Sequence, residues 1–181
     1  MVVYNTISFK QVLLIIFCIF LLSGCTIHHV PNPGEVYFSA LPKTDNQFRI
    51  NIINDQNNSA EFTIGRFGWG TLVGDLHTWT NSAVDSAKRS LETQGVIISD
   101  NSSKFLKFAV TDAKLDAWGI EFIAALARCK ISLKVDTGDG YSHTYEETNK
   151  SANSQWACNK AMTSVVSSLL EDKAIIDYLK K

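Results

Sequence analysis

Hydrophobic residues are spread unevenly along this chain. Residues 12–22 (VLLIIFCIFLL) are apolar without a break, and the stretch before them holds one cation, Lys10, and no acid. A run of this length suits the h-region of a secretion leader and falls short of the roughly 20 residues a membrane-crossing helix needs. A buried core helix is the weaker reading, since it would be apolar on every face. Downstream the pattern becomes periodic. Residues 48–52 alternate as a strand, and residues 61–66, with Phe62 and Ile64 on one side, make a second. The DQNNS between them has turn chemistry, so the two predict a hairpin. Over residues 81–94, Val84, Ala87 and Leu91 fall at helical spacing; Thr80, Asn81 and Ser82 offer caps and Gly95 a stop.

The second half is more regular. A short strand is expected over residues 96–99 and a longer one over residues 104–115, with Leu106, Phe108 and Val110 on one side. The longest strand is expected over residues 120–136, followed by the turn signal TGDG and a returning strand over residues 141–148. In residues 154–170, Cys158, Ala161, Met162, Val165, Val166 and Leu169 recur as one helical stripe, and residues 172–181 suggest a short last helix. Hairpin, helix, three-strand meander and helix give an α+β fold in two layers. The expectation is an antiparallel sheet of about five to six strands with two main helices packed on one face.

Composition narrows the class. The chain has 181 residues, 45% hydrophobic and 19% charged, with a net charge of −1. That is a globular composition with the length of one domain, and no basic field exists to attract nucleic acid.

After the apolar run comes Leu22-Ser23-Gly24-Cys25, which resembles the lipobox of bacterial lipoproteins. The resemblance implies diacylglycerol on the Cys25 thiol, cleavage before it, and acylation of the new amino terminus, palmitate being a typical acyl group. A cysteine is needed because its thiolate is the nucleophile that takes the lipid. Thr26 stands where lipoproteins retained at the inner membrane usually carry Asp, so the family rule favours the outer membrane, facing the periplasm. Residues 1–24 are then the signal peptide, residues 25–41 (with two of the three prolines) a lipidated tether, and residues 42–181 a single α+β domain.

Cys18 leaves with the leader, which leaves Cys129 and Cys158 in an oxidising compartment. Residues 127–135 alternate with Cys129 on the apolar side, and Cys158 lies on the apolar stripe of the covering helix. Such cysteines meet when their Cα atoms lie within about 7 Å, so a Cys129–Cys158 disulfide is expected; the alternative is two buried thiols.

Other candidates are weighed against plain readings. Residues 65–74 (GRFGWGTLVG) hold four glycines but neither the Lys-Ser/Thr pair nor the adjoining helix of a phosphate loop. A turned or bulged segment is favoured, and Phe67, Trp69, Leu72 and Trp79 are the candidate apolar surface for a partner. His28 and His29 read as solvated tether residues, and no metal site or cofactor is expected. Asp75, His77, Ser82 and Ser86 could be arranged as a triad on paper, without the turn such a nucleophile uses. Asp136, Asp139, Glu146 and Glu147 do not match a calcium loop.

The helix NSAVDSAKRSLETQGV, the strand KFLKFAVTDAKL, the hairpin ISLKVDTGDGYSHTYE and the closing AIIDYL resemble small lipoproteins of the YajG kind. A looser likeness is to auxiliary lipoproteins of envelope transport systems. The expected function is a non-enzymatic, membrane-anchored accessory or binding subunit with an envelope protein as partner. The alternatives are a carrier of lipid or a small apolar ligand, which needs an apolar cavity, and a hydrolase whose polar residues converge only in the fold.

Overall fold

The computed structural model describes residues 25–36, 48–67, 70–118 and 126–181. The expected leader, residues 37–41 of the expected tether, Trp69, and residues 120–125 of the expected longest strand lie outside the described residues. The elements are β1 (Cys25–His28), β2 (Arg49–Asn54), β3 (Glu61–Phe67), β4 (Gly70–Asp75), α1 (Leu76–Thr93), β5 (Ile97–Ile98), β6 (Phe105–Trp118), β7 (Leu126–Thr137), β8 (Ser142–Ser151), α2 (Ser154–Glu171) and α3 (Lys173–Lys180).

All the described strands form one eight-stranded sheet in the order β1-β4-β3-β6-β2-β5, with β7 on β6 and β8 on β7. The α+β class holds, but the sheet is mixed and not antiparallel. β3–β4, β6–β7 and β7–β8 are antiparallel, whereas β1–β4, β2–β5, β2–β6 and β3–β6 are parallel. Parallel pairing requires a long return path; from β2 to its partners β5 and β6 that path runs through β3, β4 and α1.

The expected β2–β3 hairpin does not form. β2 pairs with Phe105–Phe108 and β3 with Leu115 and Asp116, so the two lie in tandem along one edge of β6. The DQNNS segment explains why. Side chains bond backbone two residues on, Asn54 to Gln56 N (2.9 Å), Gln56 to Asn58 N (2.9 Å) and Asn58 to Ala60 N (3.0 Å). Such local bonds carry the chain forward, and Gln56 Nε2 fastens it to Val110 O at 2.7 Å.

The central strand β6 keeps its apolar side inward by a bulge. Leu106, Phe108 and Val110 are buried, then Ala113 and Leu115. The register slips at Thr111, between Val110↔Leu133 and Asp112↔Ser132. One extra residue reverses the alternation, so the odd positions face the core afterwards.

α1 starts five residues earlier than expected. Asp75 caps it, accepting from Thr78 N at 2.6 Å, and Trp79, Thr80, Ala83, Val84, Ala87 and Leu91 form its buried face. It ends at Gly95 (φ 85°), with Gly95 N bonded to Glu92 O and Val96 N to Leu91 O, the paired bonds of a Schellman stop. α2 begins at the cap Asn153, which accepts from Trp156 N at 3.1 Å. α1 packs on β2, β4, β5 and β6, and α2 on β6, β7, β8 and α1. The other face of the sheet is polar, with Lys130–Glu146 (2.8 Å), Lys134–Asp136 (2.7 Å) and Lys107–Asp55 (3.4 Å) paired across it.

Residues 25–36 are not a tether. β1 adds in parallel to β4 from Cys25↔Gly70 to His28↔Val73. Residues 29–36 then cross the helical layer as a strap. Asn32 N donates to Asn159 Oδ1 and Gly34 N to Thr163 Oγ1, each at 3.0 Å, one turn apart on α2. His29, Pro31, Pro33 and Val36 are buried. A proline has no N–H to satisfy and a fixed φ, so alternate prolines suit a buried strap in which the intervening residues make the polar contacts.

Candidate functional site

Cys25 opens β1 with its thiol exposed, and it is the one free cysteine among the described residues. Cys129 and Cys158 are joined as expected: they form a disulfide with Cα atoms 5.0 Å apart. The bridge ties the inner side of β7 to the buried stripe of α2, both cysteines being fully buried.

The register shows what shares the Cys25 end of the sheet. Cys25 is level with Gly70, which pairs with Phe67 at the end of β3. β3 pairs Arg66 with Asp116, Asp116 pairs with Arg128, and Arg128 pairs with Lys150. Beyond that row, Trp118 pairs with Leu126 at the start of β7. β8 finishes there at Ser151, and α2 sets out at Ser154. Leu126 is 59% exposed and Trp156 64%. Val30, just after β1, is the other large exposed hydrophobic among the described residues. The connection between β6 and β7 at this end reads GIEFIAA and lies outside the described residues.

The apolar surface expected from Phe67, Trp69, Leu72 and Trp79 is not formed by those residues. Leu72 and Trp79 are both fully buried. Leu72 faces inward on β4, and Trp79 lies in the first turn of α1 under the strap, its Nε1 donating to His29 O at 2.8 Å. Gly74 is small because of this packing: a Cβ there would stand 2.6 Å from Trp79 Nε1 and 3.1 Å from His29 O. Phe67 is placed as the last residue of β3. The exposed hydrophobics that sequence reasoning missed are Leu126 and Trp156. Trp156 had a readable signal, since it lies two residues before Cys158 and off the helical stripe.

The two adjacent histidines diverge. His28 is exposed and 3.0 Å from Glu61, whereas His29 is buried with its ring edge-on to Trp79 at 5.9 Å. His29 was expected in solvent; pairing of β1 and docking of the strap turn it inward. Burial pushes its pKa below the ordinary histidine value, only partly offset by a hydrogen bond with Asn159, and its Nε2 has no partner. Pointing to opposite sides, the two rings do not converge on a metal.

The paper triad is not brought together. Asp75 is occupied as the α1 cap, and the His77 ring bonds Gln56 O at 2.6 Å. Ser82 and Ser86 lie about 140° and 180° around the helix from His77 at roughly 100° per residue, and Ser86 is buried. The four acids are also dispersed. Asp139 pairs with Lys181 (2.7 Å), Glu147 accepts from Ser168 (2.6 Å), and Asp136 and Glu146 belong to the outer face.

A polar cluster that sequence reasoning missed joins β8 to the α2–α3 junction. Tyr141 and Tyr145 both donate to Asp172 Oδ2, at 2.9 and 2.5 Å, while Asp172 Oδ1 caps α3 through Ala174 N at 2.7 Å. Burial pushes the Asp172 carboxyl up, but the bonds from Tyr145, Ala174 and Tyr141 together bring it below the usual carboxylate value. With every oxygen engaged in packing elements together, this is a structural joint.

Among the described residues, two surface depressions bear on the ligand-carrier reading. One, about 420 Å³, lies between the strap and α1 at Glu35, Val36, Ser86, Arg89 and Glu92; the other, about 520 Å³, is lined by Phe48, Arg49, Asn101 and Lys104. The first is walled mainly by apolar surface and the second more by polar surface, and charged side chains line both.

No family model matches the chain, and neither does any curated protein. A solved structure does. Protein XCC0632 from Xanthomonas campestris, of the family-model DUF330, superposes with a TM-score of 0.57 at 16% identity, over 85% of this chain and 98% of that one. At that identity the likeness is one of fold.

Proposed function

We propose that this chain is a lipoprotein of the bacterial envelope, acylated on Cys25 and facing the periplasm. It acts there as a non-catalytic accessory or binding subunit of a transport or assembly system. The observation that carries the reading is the division of the cysteines: the one that follows the leader has an exposed thiol, and the other two described are consumed in a buried bridge. A disulfide fits an exported protein. Thr26 after the cysteine favours the outer membrane as destination. The engaged state of Asp75, His77 and the acidic residues supports a binding role over hydrolysis.

Cells fed an alkyne fatty acid should yield protein labelled on the peptide that begins at Cys25, with residues 1–24 absent. Cys25→Ser should abolish the label and leave the leader uncut. An unlabelled wild-type protein that keeps its leader overturns the reading. Crosslinking in whole cells should then capture a defined envelope complex.

A further inference from the structure

The anchor reading places one end of the sheet against a bilayer, because no tether intervenes: Cys25 is itself the first residue of β1. What else lies at that end therefore determines how the domain sits. Leu126 and Trp156 are there, more than half exposed. From β1 to β7 is four strand spacings, about 20 Å at roughly 4.8 Å each, a footprint a single domain can rest on. The row Arg66–Asp116–Arg128–Lys150 crosses the outer face beside them, with Arg66 and Lys150 exposed and Arg128 half-buried. Lys114 and Lys130 follow in the next row, each already paired with an acid, Asp116 (3.6 Å) and Glu146 (2.8 Å). Tryptophan favours the zone where acyl chains meet headgroups, and lysine and arginine favour anionic phosphates.

We infer that the Cys25 end of the sheet is a membrane-seating surface, with Leu126 and Trp156 entering the interface of the bilayer that holds the acyl chains and the cationic row against its phosphates. The occupant is phospholipid because the surface is continuous with the attachment point, and acyl chains on Cys25 bring this end to the bilayer before any other. The strap and β1–β4 pairing make the seating rigid, since the anchored residue is hydrogen-bonded into the sheet. The inference rests on acylation of Cys25.

The test uses acylated full-length protein in vesicles of phosphatidylethanolamine and phosphatidylglycerol. With Cys25 acylated and Cys129–Cys158 bonded, Leu126→Cys, Trp156→Cys and Asp139→Cys each provide one thiol for an environment-sensitive fluorophore. Asp139 lies in the β7–β8 turn at the opposite end, and all three positions avoid the core. Lipids brominated on their acyl chains should quench the labels at 126 and 156 several-fold more than the label at 139. Mass measurement of the Cys25 peptide in the same preparation reports the anchor. Acylated protein with all three labels equally unquenched overturns the seating alone and leaves this end to a protein partner; protein with no acyl group on Cys25 overturns the anchor and the seating together.

Discussion

Trp79 separates two accounts of the same residue. As part of an exposed binding patch, its replacement would change stability by no more than about 0.5 kcal/mol. In the structure it is fully buried, and its Nε1 is the donor that holds the strap carbonyl of His29 at 2.8 Å. Trp79→Phe keeps an aromatic ring and removes that donor. Leaving a buried carbonyl unpaired costs about 1–3 kcal/mol. The lost ring volume adds about 1–2 kcal/mol, a fraction of the 3–5 kcal/mol typical of full truncation to alanine. The sum is roughly 2–5 kcal/mol. With a urea slope of about 2 kcal/mol/M for a domain of this size, the midpoint should fall by about 1–2.5 M. Circular dichroism on residues 25–181 with Cys25→Ser is the suitable probe, since four tryptophans confuse fluorescence. Hydrogen exchange at Asn32 N and Gly34 N should quicken as the strap loosens, while Trp156→Phe, at an exposed site, should leave the midpoint in place. A Trp79→Phe midpoint within about 0.2 M of wild type refutes the packing argument.

Replacing both Cys129 and Cys158 by Ala should cost about 3–4 kcal/mol, from the loop their separation of 29 residues closes, and reduction of the wild-type domain should lower its urea midpoint similarly. Asp172 has a depressed pKa in the fold, so its contribution is present above the unfolded value of about 3.9 and is lost as pH falls through the lower folded value. Unfolding free energy measured from pH 6 to pH 2 should decline across that window, and Asp172→Asn should flatten the decline. A domain that begins at Phe48 should lose several kcal/mol and bind a hydrophobic dye, given about 1.5–3 kcal/mol per large side chain fully buried; removal of a true tether would leave the midpoint unchanged.

The pieces legible in the sequence are those whose periodicity runs unbroken. β7 and α2 were marked by alternation and by a helical stripe, β8 by the TGDG turn before it, and the disulfide followed because both cysteines lay on the apolar side of β7 and α2. The parts that escaped have local causes. Thr111 inserts one residue into β6 and reverses its alternation, so a pattern continued from Leu106 misassigns the later half. The first turn of α1 carries His77, Thr78 and Thr80, which look like loop residues; yet Thr80 is buried and bonds Leu76 O and Val110 N, a tertiary partner invisible in the sequence. The strap has a period of two in His29, Pro31 and Pro33, but prolines conceal it, because they remove donors from a ladder and so read as linker. Glycines 65 and 74 suggested a turned or bulged segment, and the β3–β4 register does shift between Thr63 and Gly65. They are small because Leu115 O and Trp79 Nε1 press against them, and only the β3–β6 and β4–α1 contacts reveal that.

The loss of the tether also constrains any partner. As a free linker, residues 25–41 would have let the domain range up to about 60 Å from the attachment point, at 3.3–3.6 Å per residue. With β1 paired to β4, that freedom is gone, and a globule of this size has a diameter of only about 40 Å. If Cys25 is acylated, every surface of the domain is held within about 40 Å of the bilayer, and the domain cannot turn over without breaking β1 from the sheet. The partner must then approach from the side or from above. From the side it meets β8, the long edge strand, whose exposed positions include Ser142, His143, Thr144, Glu146 and Lys150. Charged residues on an edge discourage indiscriminate strand addition, so a partner there must complement those charges as well as the backbone. A lipoprotein docked this way gains no reach from its anchor; what it gains is a fixed orientation, and only a partner in the same membrane, or one spanning the space just above it, can use that.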